Sequence, residues 1–143
     1  TDDAHHYMEY KVGASNPGRG WIMERATELS AAALISAMEK GDFYSTTGVE
    51  LEQLEFKNGK LNIAVKPAEG IDYTIQFWGA GKSKDGGKKE RVVLKEVKGT
   101  TATYKLRKKN LYVRARIVSS KLQENPFSEG DVETAWTQPI KYQ

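Results

Sequence analysis

The chain has 143 residues and a formal net charge of +3, with 22 Lys and Arg against 19 Asp and Glu. That length suits one domain, or one domain with an attached piece, and a chain of this size buries about 68–70% of its unfolded surface without staples. The absence of cysteine excludes disulfides and leaves the redox compartment open; no apolar run approaches the ~20 residues of a membrane span, and so mild a charge demands neither nucleic acid nor an anionic membrane.

The chain opens on Thr1-Asp2-Asp3-Ala4-His5-His6. Asp3 and His5 are two residues apart, so in an extended segment their side chains point the same way. A carboxylate and an imidazole converging in this manner can share a zinc, manganese or iron ion. They do not complete a catalytic zinc site, which uses three protein ligands and a water, and no His lies beyond His6. Taken alone, the stretch reads as a polar chain end. With no initiator Met and no signal peptide, Thr1 is expected to be a processing product or the first residue of an excised piece.

Ser15-Asn16-Pro17-Gly18-Arg19-Gly20 is dense in turn formers and reads as a loop. Trp21-Ile22-Met23 follows as a short strand or core anchor. Residues 30–40 predict a helix: Ser30 suits the N-cap, three alanines follow, and Gly41 can take the left-handed position after the end. Ala31, Leu34, Ile35 and Met38 share one face and are expected to pack on the core.

From Thr47 the period changes to two. Asn58-Gly59 separates the run Val49–Phe56 from the alternating Leu61, Ile63, Val65, which is a hairpin signal because both turn residues take positive φ. A phase change between Leu51 and Leu54 predicts a β-bulge. Further strands are expected at 73–77, 90–97, 101–106, 111–117 and 132–137, the last with Trp136 in the core. Seven short strands with turns at this spacing predict a mainly β fold, an antiparallel immunoglobulin-like β-sandwich, with the loop and helix as a lead-in.

Certain segments together are more informative than any alone. After Asp3-Ala4-His5 come Gly18-Arg19-Gly20-Trp21, a Leu-Ser-x-x-Ala-Leu helix start, Gly41-Asp42-Phe43-Tyr44-Ser45-Thr46-Thr47-Gly48, Tyr112-Val113-Arg114-Ala115-Arg116 and Ala135-Trp136-Thr137-Gln138-Pro139-Ile140. This order resembles the C-terminal part of a PHP-type (polymerase and histidinol phosphatase) metal-dependent phosphoesterase, of the bacterial branch that carries a C-terminal β-sandwich. The resemblance implies that residues 1–46 are the end of a distorted (β/α)7 barrel and residues 47–143 an accessory sandwich. It implies that Asp3 and His5 match the family's last Asp-x-His ligand pair. Asp2 and His6 would then orient a ligand by hydrogen bond, and Arg19 would contact a substrate phosphate. Divalent zinc, manganese or iron would serve hydrolysis of a phosphate ester in the parent. The family's other ligands would lie upstream of Thr1, so the chain alone is expected to bind metal weakly or not at all and to be inactive. Its partner would be the missing N-terminal barrel portion, and export to the periplasm or beyond accords with related sandwich-bearing members.

Asp42, Tyr44, Ser45 and Thr46 do not form a nucleophile site, because no base is spaced to serve the serine; Phe43 and Tyr44 read as packing at the junction. Lys82, Lys84, Lys88, Lys89 and Arg91, and the run Arg107-Lys108-Lys109, read as solvated loop tips, so neither nucleic acid nor membrane is expected as a partner. The alternative to the phosphoesterase reading is an independent β-sandwich binding or interaction module, with Trp78 and Tyr112 as a shallow patch for a carbohydrate or protein.

Overall fold

The structure, a computed structural model, describes residues 3–80, 91–108 and 110–141. Its elements are β1 (Trp21–Glu24), α1 (Ala31–Lys40), β2 (Phe43–Thr46), β3 (Leu51–Lys57), β4 (Lys60–Val65), β5 (Tyr73–Ala80), β6 (Arg91–Lys98), β7 (Thr101–Lys105), β8 (Val113–Leu122) and β9 (Val132–Thr137). The seven segments expected as strands from Val49 onward are β3 to β9. Two more strands precede them: β1, and β2, where only junction packing was expected. The fold is mainly β, with two antiparallel sheets ordered β1-β2-β9-β8-β5-β6 and β3-β4-β7.

Alternation builds the shared core. Leu61, Ile63 and Val65 of β4 face Ile75 and Phe77 of β5 and Val113, Ala115 and Ile117 of β8, all at most 2% exposed. Phe77 and Tyr104 meet across the two sheets with ring centroids 5.4 Å apart. The β3–β4 hairpin turns at Asn58 (φ 52°) and Gly59 (φ 70°), as a two-residue turn matched to strand twist requires. The bulge in β3 falls between Leu51 and Gln53.

Strand β2 joins the lead-in to the sheet. It pairs with β1 on one side and β9 on the other, and it buries Tyr44 in the core. The phenol oxygen of Tyr44 accepts from the Leu51 N–H at 3.0 Å, so β2 also ties to the start of β3. Burial pushes the phenol above its ordinary 10.0, against the opposing Leu51 N–H and with a smaller contribution from Glu50.

Helix α1 starts and stops as its sequence dictates. Ser30 accepts from the Ala33 N–H at 3.2 Å. Gly41 at φ 74° closes the C-terminus, with Gly41 N–H to Met38 O and Asp42 N–H to Ala37 O. The stripe expected in the core is not there. Ile35 is 57% exposed, Ala31 and Met38 are also exposed, and Ala37 alone on the helix is buried. The helix flanks the β1 edge of the larger sheet, where no second layer among the described residues covers its apolar face.

Gly48 is required where β2 leaves the sheet. Its φ is +147°, and an added Cβ would lie 2.2 Å from Glu133 Cδ. Glu133 is itself buried and reaches Lys121 Nζ at 2.7 Å. Gly48→Ala should therefore cost about 1–3 kcal/mol in urea denaturation through backbone strain and displacement of Glu133; a change below about 0.5 kcal/mol, the usual range for surface changes, would refute this. Tyr44→Phe should cost about 1–3 kcal/mol by stranding the Leu51 N–H. The raised phenol pKa stabilises the fold fully below pH 10 and less as pH climbs through the folded value, so Tyr44→Phe should flatten the alkaline loss of stability. An unchanged alkaline slope would exclude Tyr44 as its source.

Candidate functional site

Asp3 and His5 do converge, though not on a strand. Residues 3–20 form no helix or strand, and Asp3 takes φ 50°. The Asp3 Oδ1 to His5 Nε2 distance is 3.3 Å, with both side chains exposed. The reason lies in the backbone: the N–H groups of His5 and His6 both donate to Ser15 O, at 2.9 and 3.0 Å, folding the start of the chain onto the following loop. Tyr7 adds a bond from its hydroxyl to Ala4 O at 2.7 Å.

Asn16 organises this loop. It is 0% exposed. Its Nδ2 donates to His6 O and Glu9 O, each at 2.8 Å, and its Oδ1 accepts from Lys11 N at 3.0 Å and Arg19 Nη2 at 3.1 Å. Both amide donors and both acceptor lone pairs are used, which is the full capacity of the side chain.

Arg19 fastens the loop to the β8–β9 connection. Nε donates to Asn125 O, Nη1 to Ala14 O, and Nη2 reaches Lys11 O, Pro126 O and the Asn125 Oδ1. Its Cζ sits 5.6 Å from the Phe127 ring centroid. The guanidinium expected to meet a substrate phosphate is thus committed to internal acceptors. His6 contributes its backbone to the Ser15 and Asn16 bonds while its side chain is exposed. Asp2 lies outside the described residues.

A carboxylate oxygen and an imidazole nitrogen at this separation suit two adjacent ligands of one divalent ion. Among the described residues, no group of three or more His, Asp and Glu side chains is placed to hold a metal. The donor pair therefore fits as part of a site and not as a whole one.

Trp78 and Tyr112, both half-buried, mark a second place. No ring contact joins them among the described residues; the carbonyl of Tyr112 instead closes over Gly79, where an added Cβ would lie 2.6 Å away. Trp78 neighbours Trp136, with ring centroids 6.1 Å apart. The core face of β9 is Glu133, Ala135 and Thr137, so Trp136 stands half-buried on the outer face, correcting its expected place in the core. Arg114 and Arg116 lie against the Trp136 ring, with Cζ at 4.2 and 5.3 Å from its centroid. Their side in β8 is legible from the alternation with Val113, Ala115 and Ile117. Trp136 was not legible, because β9 turns two polar side chains inward. The basic positions Lys82, Lys84, Lys88, Lys89 and Lys109 lie outside the described residues, while Arg91, Arg107 and Lys108 are exposed.

Comparison with protein-family models, with curated proteins and with solved structures returns no match.

The loop geometry makes a local prediction. Asn16→Ala should raise amide hydrogen exchange at His5 and His6 by about tenfold, since stranding buried partners costs about 1–3 kcal/mol and ~1.4 kcal/mol is tenfold. Exchange at Ile75 and Ile117 should not change. Equal protection of His5 and His6 in the variant would show that Asn16 does not hold the Asp3–His5 edge.

Proposed function

We propose that this chain is the C-terminal segment of a PHP-type metal-dependent phosphoesterase, with Asp3 and His5 as two of the parent's metal ligands. In this reading β3 to β9 form an accessory immunoglobulin-like sandwich, and the remaining ligands come from a barrel portion upstream. The observation that carries it is the Asp3–His5 pair itself, a carboxylate and an imidazole 3.3 Å apart on a loop pinned by Asn16. The order of segments from Asp3 to Ile140 adds to it. So does the distribution of uncovered apolar side chains, which is uneven along the chain. Met8 is 98% and Leu29 94% exposed, and Tyr7, Tyr10, Trp21 and Ile35 are exposed too, while the sheets bury their apolar face well. A barrel packed against residues 7–38 would cover these groups.

The residues present would act in defined ways. The Asp3 carboxylate and His5 Nε2 would hold the ion; Ser15 and Asn16 would fix the backbone that aims them. Bound metal would supply Lewis acidity toward phosphoryl oxygen and an acidified water. Arg19 would keep the ligand loop in register with the sandwich, and a direct phosphate contact would require it to exchange its internal bonds.

The test uses the natural protein carrying this segment together with its upstream region. Asp3→Asn and His5→Ala should each lower kcat/KM for a phosphate ester by at least about 100-fold, since even groups that merely orient metal ligands are worth about 10–100-fold. The 143-residue chain alone should show no turnover with manganese or zinc. Full activity in the two variants, or normal turnover by the isolated chain, would overturn the proposal.

A further inference from the structure

The outer face of the six-stranded sheet carries an arrangement that the phosphoesterase reading does not use. Strand register places Ser45, Trp136, Arg116, Gln76 and Glu96 in one row across β2, β9, β8, β5 and β6, with Arg114 opposite Trp78 in the next. Two guanidiniums thus lie against one indole, and a second indole stands 6.1 Å away at a 54° tilt.

The unusual element is what these arginines lack. Neither Arg114 nor Arg116 has a hydrogen-bond acceptor or a carboxylate partner among the described residues, and Arg116 Nε is buried without one. A buried unpaired donor is rare and costs about 1–3 kcal/mol. Glu96, the acid in the same row, is taken by Gln76: Gln76 Nε2 donates to Glu96 Oε2 at 2.7 Å, and Trp78 Nε1 donates to Gln76 Oε1 at 3.0 Å. The Gln76 amide therefore fixes the Trp78 ring and stands between the carboxylate and the arginines. The Nη groups of both side chains likewise meet no acceptor among the described residues, and a guanidinium can grip an oxyanion through them with two parallel bonds.

We propose that this face binds a sugar ring bearing an oxyanion, with Arg114 and Arg116 on the charged group and Trp78 and Trp136 against the ring. Both indoles are half-buried on paired strands, and Trp78, at the β5–β6 register shift, is held by Gln76, so they are ordered before binding and lose little entropy. Among the described residues, Arg114 and Arg116 are the cations against the indoles, and Glu96 separates them from Lys98 on the same face, which suits one charged group more than the continuous track a nucleic-acid strand follows. The inference is independent of Asp3, His5 and any metal.

The test is indole N–H chemical-shift mapping and tryptophan fluorescence of the 143-residue chain with four probes. These are a uronate tetrasaccharide, a hexose phosphate, an uncharged glucose tetrasaccharide and inorganic sulfate. Saturable binding of either charged sugar should shift the Trp78 and Trp136 indoles and leave Trp21, on β1, unmoved; the tighter of the two identifies the oxyanion. Arg114→Gln should weaken it about tenfold, the value of one lost charge-assisted contact. Arg114→Lys, which keeps the charge and loses the fork, should restore only part. Because the mapping needs no variant, the proposal stays testable even if a substitution perturbs the fold. No saturable shift at Trp78 and Trp136 with either charged sugar would overturn it. So would equal binding of the uncharged sugar, equal binding of bare sulfate, or tighter binding of a single-stranded oligonucleotide at the same indoles.

Discussion

Asn16 is buried with all its hydrogen-bonding capacity used, in a stretch that has neither helix nor strand to satisfy its backbone. Buried backbone groups outside regular structure must find partners somewhere, and here one amide gathers three of them: His6 O, Glu9 O and Lys11 N. Arg19 then joins that cluster to Asn125 and Pro126. The chain from Asp3 to Gly20 is thereby bound to the β8–β9 connection, although it belongs to neither sheet. The placing of Asp3 beside His5 follows from this network and from the paired N–H groups on Ser15 O. Without it, two exposed side chains at a polar chain end would have no reason to share a fixed geometry.

The sheets supply the rigid part of the same arrangement. The larger sheet has six strands against three in the smaller; β2 still reaches the common core through Tyr44, while β1 forms the edge and α1 flanks it with little among the described residues to cover it. The consequence is a molecule of unequal halves. Around Phe77 and Tyr104 it is closely packed on both inner faces. From Tyr7 to Met38 it presents apolar side chains to water, the condition expected of a surface that meets another body of protein. The outer face of the large sheet is different again, with cationic and aromatic groups held in fixed register.

Much of the strand pattern was legible because alternation is a direct imprint of one buried face. Leu61, Ile63 and Val65, and likewise Val113, Ala115 and Ile117, can be read off the sequence without knowing their partners. Asn58-Gly59 and the Leu51 phase change were equally local. What escaped depended on contacts between distant segments. β2 is four residues long, and its Phe-Tyr-Ser-Thr run, rich in strand formers, was overshadowed by the adjacent helix end. The apolar stripe of α1 is plain in the sequence, but its covering is a matter of what lies beside it. Trp136 misled because its strand places Glu133 and Thr137 inward, Glu133 with Lys121 and Thr137 with the Ala115 N–H. Asn16 resembled any turn residue, and nothing in its neighbours signals four simultaneous bonds.

The candidate metal ligands were visible as a motif, and the structure adds the means by which they are held. The most direct measurement is anomalous scattering from a manganese- or zinc-loaded crystal of the natural protein that carries this segment with its upstream region. If Asp3 and His5 are ligands, an anomalous peak should lie about 2.0–2.2 Å from Asp3 oxygen and His5 Nε2, with the other ligands drawn from upstream. An occupied metal centre lying away from both residues would contradict the claim that this loop is built to present them.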